Sequence, residues 1–186
     1  MPYSIDRLYE KLLVLRSQTG DNAAFEELVV RYSPGLRYFL AKMLGNDHAD
    51  DALQEVWLDV FRGLGRLAEP AAFTTWIYRI SRDRAYRQLR SQGRLQATSL
   101  YEAPVDVAEM EEEPEFSPED AQQINQELER LPPDQREVLT LRFIEGMTYE
   151  EIAAVVGCPV GTVRSRIHYA KLALRRQLIG VLKHER

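Results

Sequence analysis

The chain of 186 residues lacks most features that mark secreted, membrane or metal-binding proteins. It has one cysteine, Cys158, which excludes an internal disulfide and a multi-cysteine zinc site. No apolar run approaches the ~18 residues needed to cross a bilayer, and the start, MPYSIDRLYEKLL, is too charged for a secretory signal. Because His48, His168 and His184 are scattered without metal-ligand spacing, no metal and no cofactor is expected. These absences favour a cytoplasmic protein with no membrane insertion.

Strand patterns and catalytic motifs are missing as well. No segment shows sustained apolar and polar alternation, so the fold class is predicted to be all-α. The sequence Gly63-Leu64-Gly65 resembles part of a dinucleotide fingerprint, but it follows a predicted helix rather than a strand. There is no nucleophile motif, so the chain is not expected to be an enzyme.

Charge is unevenly distributed along the chain. Residues 97–122 contain nine acidic residues, no lysine or arginine, and three prolines, giving a net charge of −9. The flanking segments, 1–96 and 123–186, each carry +2, so the overall −5 hides two mildly basic parts. Like charges and prolines at this density oppose packing, which predicts a flexible acidic linker, 97–122, between two small helical domains, 1–96 and 123–186.

The segment 148–176, TYEEIAAVVGCPVGTVRSRIHYAKLALRR, predicts a helix-turn-helix. Thr148 followed by Glu151 is typical of a capping box, and Gly157 should end the helix that begins there. A second helix should start near Val160 to Thr162. Its apolar residues recur at helical spacing and predict a buried face made of Val163, Ile167, Ala170 and Leu174.

The opposite face of the second helix is basic. Residues 160–176 hold five basic side chains and no acidic one, and Arg164, Ser165, His168, Lys171 and Arg175 are predicted to lie on one exposed face. Such a helix fits the DNA major groove, where arginine reads guanine edges. The alternative is a helical hairpin with a solvated cationic face.

The sequence pattern of the first domain predicts three principal helices, preceded by a helix near the start of the chain. The pattern in 21–44 predicts a helix with a kink or break at Pro34-Gly35, and DRLYEKLLVLR favours a helix near the start of the chain. A helix over about 48–63 should turn Leu53, Val56, Trp57, Val60 and Phe61 inward. Its outward face is acidic, with Asp50, Asp51, Glu55 and Asp59, and it is suited to a basic protein partner or simply solvated.

A third segment combines arginines with aromatic residues. FTTWIYRISRDRAYRQLR, 73–90, is followed by a further arginine, and 79–94 contain six arginines against one acid, Asp83. Cations that follow phosphates and aromatic faces that stack on bases are what single-stranded DNA binding uses. Taken alone, however, Trp76 and Tyr78 are expected to be core residues rather than residues that stack on bases.

Three of these segments occur in an order that resembles one family. DDALQEVWLDVF, then FTTWIYRISRDRAYRQLR, then the acidic spacer and LPPDQREVLTLRFIEGMTYEEIAAVVGCPVGTVRSRIHYAKLALR are similar to the extracytoplasmic function (ECF) sigma factors of bacterial RNA polymerase. The resemblance covers about residues 20–180 and matches the two-domain form that keeps regions 2 and 4. It implies a protein that binds core RNA polymerase, recognises −35 and −10 promoter elements and helps to open the −10 DNA.

The resemblance implies a role for several residues of the first domain. Those that match the docking site for the β′ clamp helices are Asp50, Asp51, Gln54 and Glu55. The segment 63–72 matches the loop that captures a flipped −10 base. Those that match −10 contacts are Thr75, Trp76, Arg79 and Arg82.

The second domain carries the implied −35 site and a second polymerase contact. The candidate −35 residues are Thr162, Arg164, Ser165, Arg166, His168, Tyr169 and Lys171. Region 4 of the family also sits on the flap of the β subunit, and an anti-sigma factor is an implied partner.

Three positions depart from the family pattern. Asp83 lies where asparagine is common, Tyr169 where arginine is usual, and 63–72 contain no Asp or Asn to form the polar pocket that many relatives use. These differences concern promoter preference. Two other classes remain open: a conventional dimeric helix-turn-helix regulator would not need the acidic face, and a protein-only helical adaptor would not need the basic one.

Overall fold

The computed structural model describes residues 3–94 and 127–184, with side chains for 6–94 and 127–176. The chain divides into two compact units, Met1–Gln92, the N-terminal unit, and Gly93–Arg186, the C-terminal unit. The described residues form helices and turns with no strand, so the predicted all-α class is confirmed. The predicted linker, 97–122, lies outside the described residues. Within the described ranges, no helix is long and apolar enough to cross a membrane.

The N-terminal unit is built from four helices. They are α1 (Tyr3–Gln18), α2 (Asn22–Leu44), α3 (Asn46–Gly63) and α4 (Phe73–Ser91). Two short 3₁₀ turns, Leu64–Arg66 and Pro70–Ala72, join α3 to α4. The helix predicted near the start of the chain is therefore confirmed as α1.

Local sequence explains how these helices begin and continue. The carboxylate of Asp21 accepts a hydrogen bond from the backbone N–H of Ala24 (3.1 Å) and so caps α2. Gly45 separates α2 from α3 with a φ of 92°, a value that favours glycine. Of the kink or break predicted at Pro34-Gly35, the break is wrong, because helix α2 runs unbroken through Pro34.

The core of the N-terminal unit lies where the four helices meet. The buried aromatic residues and large aliphatic residues that fill it are Leu13, Val14, Leu28, Leu36, Phe39, Leu40, Val56, Val60, Phe73, Ile77, Tyr78 and Leu89. Phe61 was predicted to point inward but is 66% exposed. The buried face of α3 is set by Val56 and Val60, and Phe61 lies about 100° from Val60 around the helix, where its ring contacts Phe25 near the surface (5.5 Å between centroids).

The C-terminal unit contains the predicted helix-turn-helix. A 3₁₀ turn, Leu128–Arg130, leads into α5 (Pro133–Leu139), which continues as a π-helical turn, Thr140–Ile144. The two helices of the motif are α6 (Tyr149–Val156) and α7 (Val160–His184).

The sequence signals that predicted the motif are present in the structure. Thr148 and Glu151 form a reciprocal capping box, with bonds of 3.2 and 2.8 Å, and Gly157 ends α6 in the left-handed conformation (φ 75°). The predicted inner face of α7 is confirmed, because Val163, Ile167, Ala170 and Leu174 are all buried. Burying an aliphatic side chain of this size contributes about 1.5–3 kcal/mol, which fixes the rotation of α7 about its axis.

Candidate nucleic-acid and protein interfaces

The acidic residues of α3 form an exposed face, but they are not equivalent. Asp50 accepts two hydrogen bonds from the guanidinium of Arg37 on α2, at 2.7 and 3.1 Å. These bonds hold the pKa of Asp50 below its usual value and raise the pKa of Arg37. Asp51 and Gln54 are exposed as well, and Asp51 has no ion pair among the described residues. Asp51 therefore offers the uncompensated carboxylate of this face.

Glu55 and Asp59 are paired with arginines of the neighbouring helix. One guanidinium nitrogen of Arg84 lies 3.2 Å from a Glu55 carboxylate oxygen and another lies 2.7 Å from Asp59. Arg87 approaches the same Asp59 oxygen at 3.8 Å. Because the side chain of Arg84 is only 23% exposed, this pair is screened less than a surface pair. Two of the six arginines in 79–94, neither of them a candidate −10 residue, thus pair with carboxylates of α3.

The exposed face of α3 continues beyond its acidic residues. Leu58 and Phe61 are 47% and 66% exposed and follow Glu55 at helical spacing. Sequence reasoning missed this apolar end of the face because it placed Phe61 in the core. The sequence did contain a signal for this apolar region, because Leu58 follows the predicted docking residue Glu55 by three positions and Gln54 by four.

The candidate −10 residues lie on α4, on a face different from that of Arg84. Thr75, Arg79 and Arg82 are spaced by four and three residues and share one side of the helix. Arg79 is exposed, whereas the guanidinium of Arg82 lies 4.5 Å from the ring centre of Tyr86 and 3.9 Å from Asp83. This side therefore combines cations with an aromatic ring, and it includes Tyr86, which the sequence analysis did not select.

Trp76 has a second role as a packing residue. It is half-buried, and a Cβ at Gly63 would meet its ring at 3.0 Å, so the glycine allows the indole to close against the end of α3. Its ring also lies 6.1 Å from that of Phe73. Trp76 is therefore partly a core residue, as expected, and part of its side chain stays exposed.

In the C-terminal unit, five of the seven candidate −35 residues are half-buried at the surface of α7. They are Thr162, Arg164, Arg166, His168 and Tyr169. The rings of His168 and Tyr169 meet edge to face, with centroids 5.5 Å apart. No carboxylate among the described residues forms an ion pair with Arg164 or Arg166.

The other two candidates on α7 are not on an exposed face, and their predicted placement is wrong. Ser165 is 4% exposed because its short side chain folds back on the helix, where its Oγ–H donates to the carbonyl of Thr162 (3.0 Å). Lys171 is also 4% exposed. It lies about 40° from Ile167 around the helix, beside the core face, and its ammonium lies 5.0 Å from the ring centre of Phe143.

Two residues outside α7 complete the basic surface. The ring of Tyr149, at the start of α6, lies 5.7 Å from the guanidinium of Arg164 and 5.1 Å from that of Arg142. Arg142 is further held by a hydrogen bond to the carbonyl of Met147 (2.9 Å). Sequence reasoning missed Arg142 and Tyr149 because they precede the helix on which the basic pattern is found. Two cations, Arg142 and Arg164, therefore lie beside one aromatic ring, an arrangement that suits a phosphate or a base.

Both parts of the chain match known protein families. The family model of Sigma-70 region 2 matches residues 28–95, and the family model of Sigma-70 region 4 matches residues 121–174. The ECF RNA polymerase sigma-E factor of Escherichia coli (strain K12) is 37% identical over 192 residues, covering 96% of this chain and 98% of that protein. The RNA polymerase sigma-H factor of Pseudomonas aeruginosa is 35% identical over 193 residues, covering 94% and 96%.

Similar solved structures include the following two. The sigma factor RpoE of Bartonella quintana, solved in complex with the anti-sigma factor NepR, is 26% identical with a TM-score of 0.64 and covers 83% of this chain and 96% of its own. CnrH, solved with the cytosolic domain of CnrY, has a TM-score of 0.69 and covers 92% and 97%. At 23% identity, CnrH supports the fold alone.

Proposed function

Because this chain belongs to the ECF sigma factors, which bind core RNA polymerase and direct it to promoters, we propose how its two units divide that work. The N-terminal unit, with proposed domain bounds 1–96, binds polymerase and the −10 element. The C-terminal unit, with proposed bounds 123–186, binds the −35 element. The observation that carries this proposal is the separation of charge, with an uncompensated carboxylate on α3 and uncompensated arginines on α7.

Polymerase binding is assigned to the face of α3 that includes Asp50, Asp51, Gln54 and Glu55. Asp51 and Gln54 carry most of it, because Asp50 and Glu55 already contact Arg37 and Arg84. The partner is the coiled coil of the β′ clamp helices, whose basic side chains would meet Asp51. Leu58 and Phe61 extend the contact with apolar area that is exposed in this structure.

The −10 element is assigned to α4 and to the loop 63–72. Thr75, Trp76, Arg79 and Arg82 contact the non-template strand, and the loop holds the base that leaves the stack. Unstacking costs a few kcal/mol per step, and stacking on an aromatic ring returns about 1–3 kcal/mol per base. Promoter opening then requires no covalent chemistry, which agrees with a family whose members are not enzymes.

The −35 element is assigned to α7 together with the residues around Tyr149. Arg164 is the principal base contact, with Thr162, Arg166, His168 and Tyr169 beside it. Arg142 supplies a further phosphate contact, since it lies against the same aromatic ring as Arg164. Ser165 and Lys171 are left out because they are buried. The C-terminal unit also contacts the flap of the β subunit.

Three further assignments complete the proposal. The acidic segment 97–122 links the two units, and its nine carboxylates, with no basic residue among them, either serve as a solvated spacer or imitate a nucleic-acid backbone in a basic channel of the polymerase. An anti-sigma factor holds the free protein, as supported by the Bartonella quintana sigma factor solved with NepR. The protein acts in the cytoplasm, where polymerase and promoter DNA are found.

The test is run-off transcription from a promoter library with purified core polymerase, with and without this protein, followed by sequencing of the transcripts. We expect initiation, only when the protein is added, at sites that share two spaced elements. DNA binding by the protein alone, without promoter-directed transcripts, would contradict the proposal and favour a conventional helix-turn-helix regulator.

A further inference from the structure

The loop 63–72 is held by a side chain from a distant part of the N-terminal unit. Gln18, the last residue of α1, donates hydrogen bonds from its Nε2 to the carbonyl of Leu64 (2.9 Å) and to the carbonyl of Leu67 (2.8 Å). A side-chain amide nitrogen has two N–H donors, so both are used on this loop. The contact spans 46 and 49 residues of sequence.

The two carbonyls belong to the first residue of the first 3₁₀ turn, Leu64, and to the residue directly after the turn, Leu67. The backbone N–H of Leu67 also donates to the carbonyl of Leu64 (3.1 Å), so one amide group bridges a turn that is already closed. Arg66, Ala68 and Glu69 lie within or directly after this turn and are exposed. The side chains that a base would meet are thus presented from a backbone that Gln18 fixes.

Helix α1 also holds the chain directly after the loop. The hydroxyl of Thr74 donates to the carboxylate of Glu10 on α1 (3.1 Å) and lies 2.7 Å from the hydroxyl of Tyr32. Burial, together with Glu10, raises the pKa of Tyr32, so its hydroxyl stays protonated within this hydrogen-bonded group. The loop is therefore fastened to α1 on both sides.

We infer that Gln18 is a positioning residue for capture of the −10 base, acting through the loop rather than on DNA. The inference rests on the proposed function of that loop. A loop that must order on binding loses affinity through conformational entropy, whereas a loop already held by two hydrogen bonds does not. Removal of the amide should therefore weaken base capture and base discrimination while leaving the polymerase-binding face of α3 intact.

The experiment uses the full chain assembled with core polymerase. Gln18→Glu is nearly isosteric and replaces both donors with an acceptor that repels the two carbonyls, while Gln18→Lys keeps N–H donors. Ser17→Ala is the matched control, because its hydroxyl bonds only the carbonyl of Leu13 within α1 (2.7 Å). Each holoenzyme is titrated with single-stranded DNA that carries the −10 sequence recovered from the promoter library, with each of the four bases in turn at the captured position.

For Gln18→Glu we expect roughly a tenfold loss of affinity for the −10 strand, a flattened base preference, and unchanged affinity for core polymerase. Gln18→Lys should lose less, and Ser17→Ala should match the wild type. Unchanged −10 affinity and preference in Gln18→Glu would overturn the inference. Equal weakening of polymerase and −10 binding would also overturn it, because that pattern indicates general destabilisation of the unit. If the wild-type holoenzyme itself showed no preference at any −10 base, the proposed function of the loop would fail, and this inference with it.

Discussion

Helices α4 and α7 are both rich in arginine, yet their arginines have different surroundings. On α4, Arg84 and Arg87 pair with carboxylates of α3, and Arg79 on another side is exposed. On α7, neither Arg164 nor Arg166 pairs with a carboxylate of the described residues. A count of basic residues therefore overstates the charge that α4 has available for DNA, because of these ion pairs, whereas on α7 the count is too high only by the buried Lys171. The comparison predicts which arginines serve stability and which serve recognition.

The largest expected effect is at Arg164. Replacement by alanine removes the proposed base contact and should cost about 1–3 kcal/mol of −35 recognition, and replacement by glutamate should abolish it. Binding of the holoenzyme to promoter DNA with an intact or a scrambled −35 element measures the loss. The affinity for core polymerase is the control and should not change. Equal binding of Arg164→Ala and wild type to the intact element would contradict the assignment of α7.

The second-largest effect is expected at Asp51, which lies on the exposed face of α3 and forms no ion pair with the described residues. Asp51→Arg reverses an uncompensated charge at the proposed contact and should weaken polymerase binding by about 1–3 kcal/mol. Glu26→Arg makes the same charge change at an exposed position of α2 and should have little effect. Fluorescence titration of labelled protein with core polymerase distinguishes the two. Unchanged affinity of Asp51→Arg would show that the docking face is elsewhere.

The comparison can be sharpened within α4 itself. Arg84→Ala leaves Glu55 without its partner and Asp59 with Arg87 alone, and we expect a cost of about 1–2 kcal/mol, between the values for exposed and buried pairs. Arg79→Ala should change the free energy of unfolding by less than about 0.5 kcal/mol but weaken binding to the −10 strand. Urea unfolding followed by tryptophan fluorescence reports on the N-terminal unit, since Trp57 and Trp76 both lie there. The opposite ranking of the two variants would remove the distinction between structural and recognition arginines.

The smallest effect is expected from the exposed pair of Arg37 and Asp50. The pKa of Asp50 in the folded protein lies below its unfolded value of about 3.9. The contribution of this ion pair to the free energy of unfolding is therefore complete above pH ~3.9 and is lost as the pH falls through the folded pKa. Arg37→Gln removes the cause of the shift. The variant should therefore be slightly less stable than the wild type near neutral pH, and the difference should vanish in acid. A difference that stays constant as the Asp50 carboxylate becomes protonated in acid would argue against this pair as its source.

Local signals predicted much of the C-terminal unit. The capping box of Thr148 and Glu151, the stop at Gly157 and the buried face of α7 depend on residues close in sequence, and each is confirmed. Burial of Ser165 was not predictable from helical spacing, because it depends on side-chain length and on a bond to the local backbone. The family and the all-α class were also identified from sequence.

Contacts between distant segments were beyond sequence reasoning. The pairing of Arg84 with Asp59 joins two helices whose facing sides are fixed only by tertiary packing. The bonds from Gln18 to Leu64 and Leu67 use a residue type with no pattern of its own. Phe61 was misplaced because one residue on an amphipathic helix changes direction by about 100°, so a small error in the buried face moves a side chain to the surface.

The most direct test of the divided roles is the promoter library transcribed with three forms of the protein: wild type, Arg164→Ala and Arg79→Ala. The account predicts that Arg164→Ala loses base preference only at the −35 element and Arg79→Ala only at the −10 element, with both elements selected by the wild type. The account would be contradicted if either variant lost base preference at both elements. It would also be contradicted if both variants kept base preference at both elements.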